Sequence, residues 1–120
     1  MNEEQLTRYK RTARARHRWE QRQRQARQDH AWKAARQAAA LLKREFGAQQ
    51  VVVFGSLIHP RRFTRWSDVD LAAWGLTARN WLQASAAVRA LSDEIEMNLV
   101  DVACCPADLQ AVIEREGVPL

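Results

Sequence analysis

The 120-residue sequence predicts an α+β fold, with one long N-terminal helix followed by a small β-sheet that has further helices packed on it. Three observations carry this. From Glu3 to about Phe46 there is no Gly or Pro, and Arg, Gln, Ala, Glu and Lys dominate, all strong helix formers. After Gly47, three short runs of strand-forming character recur, at Gln50 to Phe54, Val69 to Trp74 and Met97 to Ala103. Between the second and third runs, Trp81, Ala84, Val88, Leu91 and Ile95 repeat at helical spacing.

Within the first helix the apolar stripe is confined to the C-terminal third, at Trp32, Ala35, Ala39, Leu42 and Phe46, and this third is expected to pack on the sheet. Between Arg14 and Arg27 the only large apolar residue is Trp19, so that stretch is expected to project into solvent or onto a partner. Gly47 is the expected terminator. Gln50 to Phe54 is almost wholly apolar, which predicts an interior strand, and Gly55-Ser56 falls where a tight turn would follow. His59 to Ser67 contains Pro60, three arginines, Phe63 and Trp66 without a clear period, and reads as a loop crossing the mouth of a site. Thr77 is the expected N-cap of a helix reaching about Asp93. In the third strand Leu99, Asp101 and Ala103 share one face, and Asn98, Val100 and Val102 the other. Pro106 opens a last short helix that stops at Gly117.

The net charge of +5 hides a division. Residues 1–46 carry 13 Lys or Arg against 5 Asp or Glu, whereas 47–120 carry 6 against 9. The expected organisation is therefore a basic helical arm, 1–46, and a mildly acidic compact domain, 47–120. No run approaches the roughly 18 apolar residues that cross a bilayer, no membrane association is expected, and the predicted location is the cytoplasm. Cys104 and Cys105 are adjacent, a spacing that fits neither a mutual disulfide nor a common zinc pattern, and they read as small thiols near the end of a strand.

Function concentrates in Val51 to Leu71, VVVFGSLIHPRRFTRWSDVDL. Asp68 and Asp70, two apart at the start of a strand, point to one face, within reach of one or two divalent ions. The Gly55-Ser56 turn offers backbone N–H groups and a hydroxyl to phosphate. Asp101 stands in an apolar strand, where a carboxylate is costly to bury unless paired or metal-bound. His59, beside Pro60, reads as structural. Arg61, Arg62 and Arg65 are further candidates for phosphate or acceptor contact, with a solvated surface role equally open.

This set resembles the nucleotidyltransferase superfamily typified by DNA polymerase β: Gly-Ser, a spacer of about ten residues, Asp-x-Asp, and a third acidic residue on a later strand. The spacer here is eleven. The resemblance is nearest to the minimal nucleotidyltransferases, often antitoxins paired with HEPN-domain toxins, and covers Val51 to Leu120. One departure is that a second glycine common after Gly-Ser is replaced by Leu57-Ile58-His59-Pro60. The resemblance implies a small mixed sheet, two Mg²⁺ ions on Asp68, Asp70 and Asp101, and ATP as substrate. It also implies Gly55, Ser56 and Ser67 as nucleotide contacts, and Asp101 as an aid in taking the proton of the nucleophile.

No separate domain that presents an acceptor is expected within these 120 residues. By the resemblance, the acceptor is a tyrosine of a cognate HEPN toxin, which the antitoxin silences by attaching AMP. Tyr9, Trp19 and Trp32 among arginines suit the N-terminal helix to an interface with that partner or with a second copy of the chain. Nucleic acid is the second candidate for this helix, although its basic residues are spread around the helix rather than along one stripe. The alternatives to adenylyl transfer are a binding module that neutralises its partner by occlusion, and a nucleotidyltransferase acting on nucleic acid or a small molecule.

Overall fold

A computed structural model describes all 120 residues. Helix α1 runs over Glu3–Phe46, 44 residues. At about 1.5 Å per residue it is about 66 Å long, and it therefore sets the 68 Å long dimension of the molecule. Its start is closed by a reciprocal cap in which Asn2 Oδ1 accepts from the Gln5 N–H at 2.8 Å and Gln5 Oε1 accepts from the Asn2 N–H at 3.0 Å. Its end is Gly47, which adopts the left-handed conformation (φ 73°) and donates its N–H to the Leu42 carbonyl.

Strands β1 (Gln50–Phe54), β2 (Val69–Trp74), β3 (Met97–Asp101) and β4 (Val118–Pro119) form one sheet in the order β3-β2-β1-β4. β1 is antiparallel to β2 and β4, and β2 is parallel to β3, so the sheet is mixed, as the resemblance implies. Helices α2 (Ala78–Arg89) and α3 (Ala107–Glu116) complete the α+β fold. The crossover that makes β2 and β3 parallel is α2, as chain geometry requires. β1 lies inside the sheet as expected, with Val51 and Val53 fully buried.

Alternation along the strands creates two unequal layers. On one face Val51, Val53, Val69, Leu71, Ala73, Met97 and Leu99 pack against α1 and α2 in the main core. On the other, Val52, Phe54, Ala72, Val102 and Ile113 form a smaller cluster under α3. Full burial of each Leu, Ile or Val contributes about 1.5–3 kcal/mol. The α1 stripe is centred on Ala31, Ala34, Ala35, Ala38, Ala39 and Leu42, while the expected Trp32 and Phe46 flank it and are only partly buried. Alanine dominates because small side chains let the long helix lie close to the sheet.

Other boundaries differ from the sequence reading. α2 stops at Arg89 rather than near Asp93, and Ile95 reaches the core from the segment beyond it. β3 ends at Asp101, and Val102–Cys104 turn into a 3₁₀ helix. The two-residue strand β4 was not legible, since its pairing with Val52 and Val53 lies far off in sequence.

Candidate active site

Strand β1 leads into Gly55–Ile58, one 3₁₀ turn, and Gly55 has φ +76°. A Cβ there would stand 2.5 Å from Asp70 Oδ2, so the turn backbone lies directly against that carboxylate, and the positive φ favours glycine. This follows from register: Phe54 is paired with Asp70 across the antiparallel β1–β2 ladder. The Gly-Ser turn and the Asp-x-Asp segment thus meet despite the intervening loop.

Asp68 precedes β2 and Asp70 lies within it. Both are bridged by one side chain: Asn98 Nδ2 donates to Asp68 Oδ2 and to Asp70 Oδ1, each at 3.3 Å. Asn98 is the direct neighbour of Asp70 in the parallel β2–β3 register. It is the residue that the sequence reading missed. Its only signal was being a polar side chain on the β3 face opposite Asp101, and that becomes informative once the register shows which face Asp70 shares.

The carboxyl of Asp70 is held above its ordinary value, chiefly because burial penalises its charge. The neighbouring Asp68 charge adds to the effect, and the hydrogen bond from Asn98 opposes it. The three side chains occupy the sheet face that α3 covers only in part, which leaves them half-buried and open to solvent.

Asp101, expected as the third ligand, is not in this cluster. Successive strand side chains alternate between faces, and Asp101 pairs with Ala73, three positions beyond Asn98. It therefore projects from the other face, about 10 Å farther along at about 3.3 Å per residue. There it is buried and its Oδ1 accepts from the Ala103 N–H at 3.2 Å, capping the 3₁₀ turn. Its charge pushes the exposed Cys104 thiol above its ordinary value. No group of three or more His, Cys, Asp and Glu side chains converges anywhere in the chain. Two carboxylates and a carboxamide oxygen nonetheless suit a hard cation such as Mg²⁺, which keeps several of its waters.

The remaining candidates divide. Ser56 lies in the turn beside Gly55, and its carbonyl accepts from the His59 N–H at 3.0 Å. The Ser67 hydroxyl is turned into its own loop, accepting from the Thr64 N–H at 2.9 Å. Arg61, Arg62 and Arg65 are all exposed, and the Arg65 guanidinium lies 4.7 Å from the centre of the Trp66 ring. His59 faces Glu116 at 3.9 Å. The loop is pinned at two points: Phe63 is buried in the main core, and Gln28 of α1 donates to the Pro60 carbonyl at 2.8 Å. A cavity of about 170 Å³ beneath it, lined by Arg27, His30, Phe63 and Ser67 among others, contains neither Asp68 nor Asp70.

Comparison with solved structures adds the fold. The chain matches one in a crystal structure of a toxin-antitoxin with AMP-PNP, with a TM-score of 0.57 and 19% identity over 69% of each chain. The two share a fold. A second structure, proposed to be a minimal nucleotidyltransferase, matches at a TM-score of 0.49 and 24% identity, over 80% of this chain and 91% of that one. No protein-family model matches the sequence, and no curated protein does. No helix is long and apolar enough to cross a membrane.

Proposed function

We propose that the chain is a Mg²⁺-dependent nucleotidyltransferase that moves AMP from ATP to a hydroxyl, the tyrosine of a cognate HEPN-type toxin, as the antitoxin of a toxin-antitoxin pair. The observation that carries this reading is the contact between two sequence-distant motifs: the Gly55 backbone lies against the Asp70 carboxylate, whose Oδ2 would stand 2.5 Å from a Cβ there. A glycine backbone set against paired carboxylates suits the binding of a metal-nucleotide. The AMP-PNP in the toxin-antitoxin structure of the same fold supports a nucleotide as ligand.

In this reading Gly55 and Ser56 receive the phosphates, and Asp68 and Asp70 hold Mg²⁺. When bound, the ion supplies charge neutralisation at the triphosphate and at the departing pyrophosphate. The acceptor oxygen forms its bond to the α-phosphorus as the bond to the β-phosphate oxygen breaks, and the hydroxyl proton passes to a site carboxylate or to water. The exposed part of α1, residues 1–26, offers Tyr9 and Trp19 among arginines as a docking surface for the partner.

A second reading, neutralisation by occlusion without transfer, is favoured by one observation: an amide, Asn98, stands beside the pair where a third acidic residue is expected. One experiment separates the two. The chain is incubated with the partner encoded beside it, Mg²⁺ and ATP labelled at the α-phosphate. Label on the partner, abolished by Asp68→Ala or Asp70→Ala, supports transfer. Full neutralisation of the partner without label establishes occlusion and overturns transfer.

A further inference from the structure

Asn98 occupies the one position on β3 from which a side chain touches both Asp68 and Asp70. The only carboxylate of that strand, Asp101, points to the opposite face and is committed to the Ala103 N–H. The site thus has two carboxylates and a neutral amide, and its fixed charge is −2. We propose that Asn98 stands in the place of the third carboxylate and restricts the site to a single divalent cation, the one that travels with the nucleotide. This inference rests on the metal-nucleotide reading above and specifies its stoichiometry.

Charge supplies the argument. Two divalent ions held about 3.5–4 Å apart repel each other four times as strongly as unit charges would, and shared carboxylates offset that repulsion. Removing one carboxylate falls hardest on the ion that lacks triphosphate ligands, the one on the acceptor side. A carboxamide oxygen can still ligate a cation, but it brings no charge and accepts no proton. In the structure its NH₂ group bridges two like charges that would otherwise repel each other. The site as built is a nucleotide-loading site that lacks a third carboxylate to activate the acceptor hydroxyl.

The test counts ions rather than turnover. Mn²⁺ is titrated into the full-length protein with and without AMP-PNP, free Mn²⁺ being read by electron paramagnetic resonance and binding by calorimetry. The wild-type chain is expected to take one Mn²⁺ with the analogue. Asn98→Asp is expected to take two and to bind Mn²⁺ alone about tenfold more tightly or better. Its melting temperature should fall below wild type in EDTA and recover with Mn²⁺. Asn98→Ala, which breaks the bridge without adding charge, should remain at one ion. Two ions in the wild-type chain, or an unchanged count and affinity in Asn98→Asp, overturn the proposal while leaving nucleotide binding intact. Failure of both proteins to bind the analogue in the presence of Mn²⁺ overturns this proposal together with the nucleotidyltransferase reading.

Discussion

Asp70, the proposed metal ligand, opposes the stability of its own fold. Burial and the adjacent Asp68 charge hold its carboxyl above the ordinary value, with Asn98 offsetting part of this. A raised acid binds its proton more tightly in the folded state. The stabilisation is therefore complete below the unfolded value and is lost as pH rises through the folded one. At neutral pH without metal, ionised Asp70 costs stability. Asp70→Asn is accordingly expected to melt no lower than wild type in EDTA at pH 7, to lose this advantage at low pH, and to lose Mn²⁺ binding. A lower melting temperature for the variant at pH 7 would contradict the electrostatic account. Gly55 makes the matching case in steric terms. Gly55→Ala must hold φ +76° and place a methyl 2.5 Å from Asp70 Oδ2, a strain of about 1–3 kcal/mol. Denaturant titration should show that loss, and it should shrink when Asp70→Ala is added, because the carboxylate that the methyl meets is gone. Equal losses in both backgrounds would show that the contact is not the cause.

At the scale of elements, α1 is two helices in one. Every residue from 1 to 26 is exposed, whereas Ala31 to Leu42 supplies six buried positions of the main core. The exposed stretch is helical by local means, through good helix formers, the Asn2–Gln5 cap and the Glu4–Arg8 pair at 3.2 Å. Removing residues 1–26 is therefore expected to lower the helical signal in far-ultraviolet circular dichroism while shifting the melting temperature by no more than about 3 °C. The same truncation should abolish partner binding, read by calorimetry. A large loss of stability would place the stretch in the core, and undiminished binding would remove it from the interface. The second element, α2, is fixed by chemistry that could be read locally: Thr77 and Asn80 cap each other, with Asn80 Nδ2 donating as well to the Phe46 carbonyl at 3.0 Å. That last bond ties the start of α2 to the end of α1.

For the molecule as a whole, the division of labour lies in the two faces of the sheet. α1 and α2 bury one face completely, and the short α3 covers only part of the other, leaving room for Asp68, Asp70 and Asn98 at the surface. Residues 1–46 are basic and residues 47–120 acidic, a separation of charge that suits the proposed cation-fed site and the proposed partner-binding helix. By itself the sequence determined the long helix, the places of β1 and β2, the cap of α2 and the motif pair Gly55-Ser56 and Asp68-Asp70. Each of these is written in local periodicity, propensity or spacing. The alternation of β3 was legible too, with Asn98 and Asp101 on opposite faces. Only the tertiary structure decided which of those faces joins the site, because strand register is a long-range match between β2 and β3 that no local pattern encodes. That match put an amide rather than a carboxylate between the two aspartates.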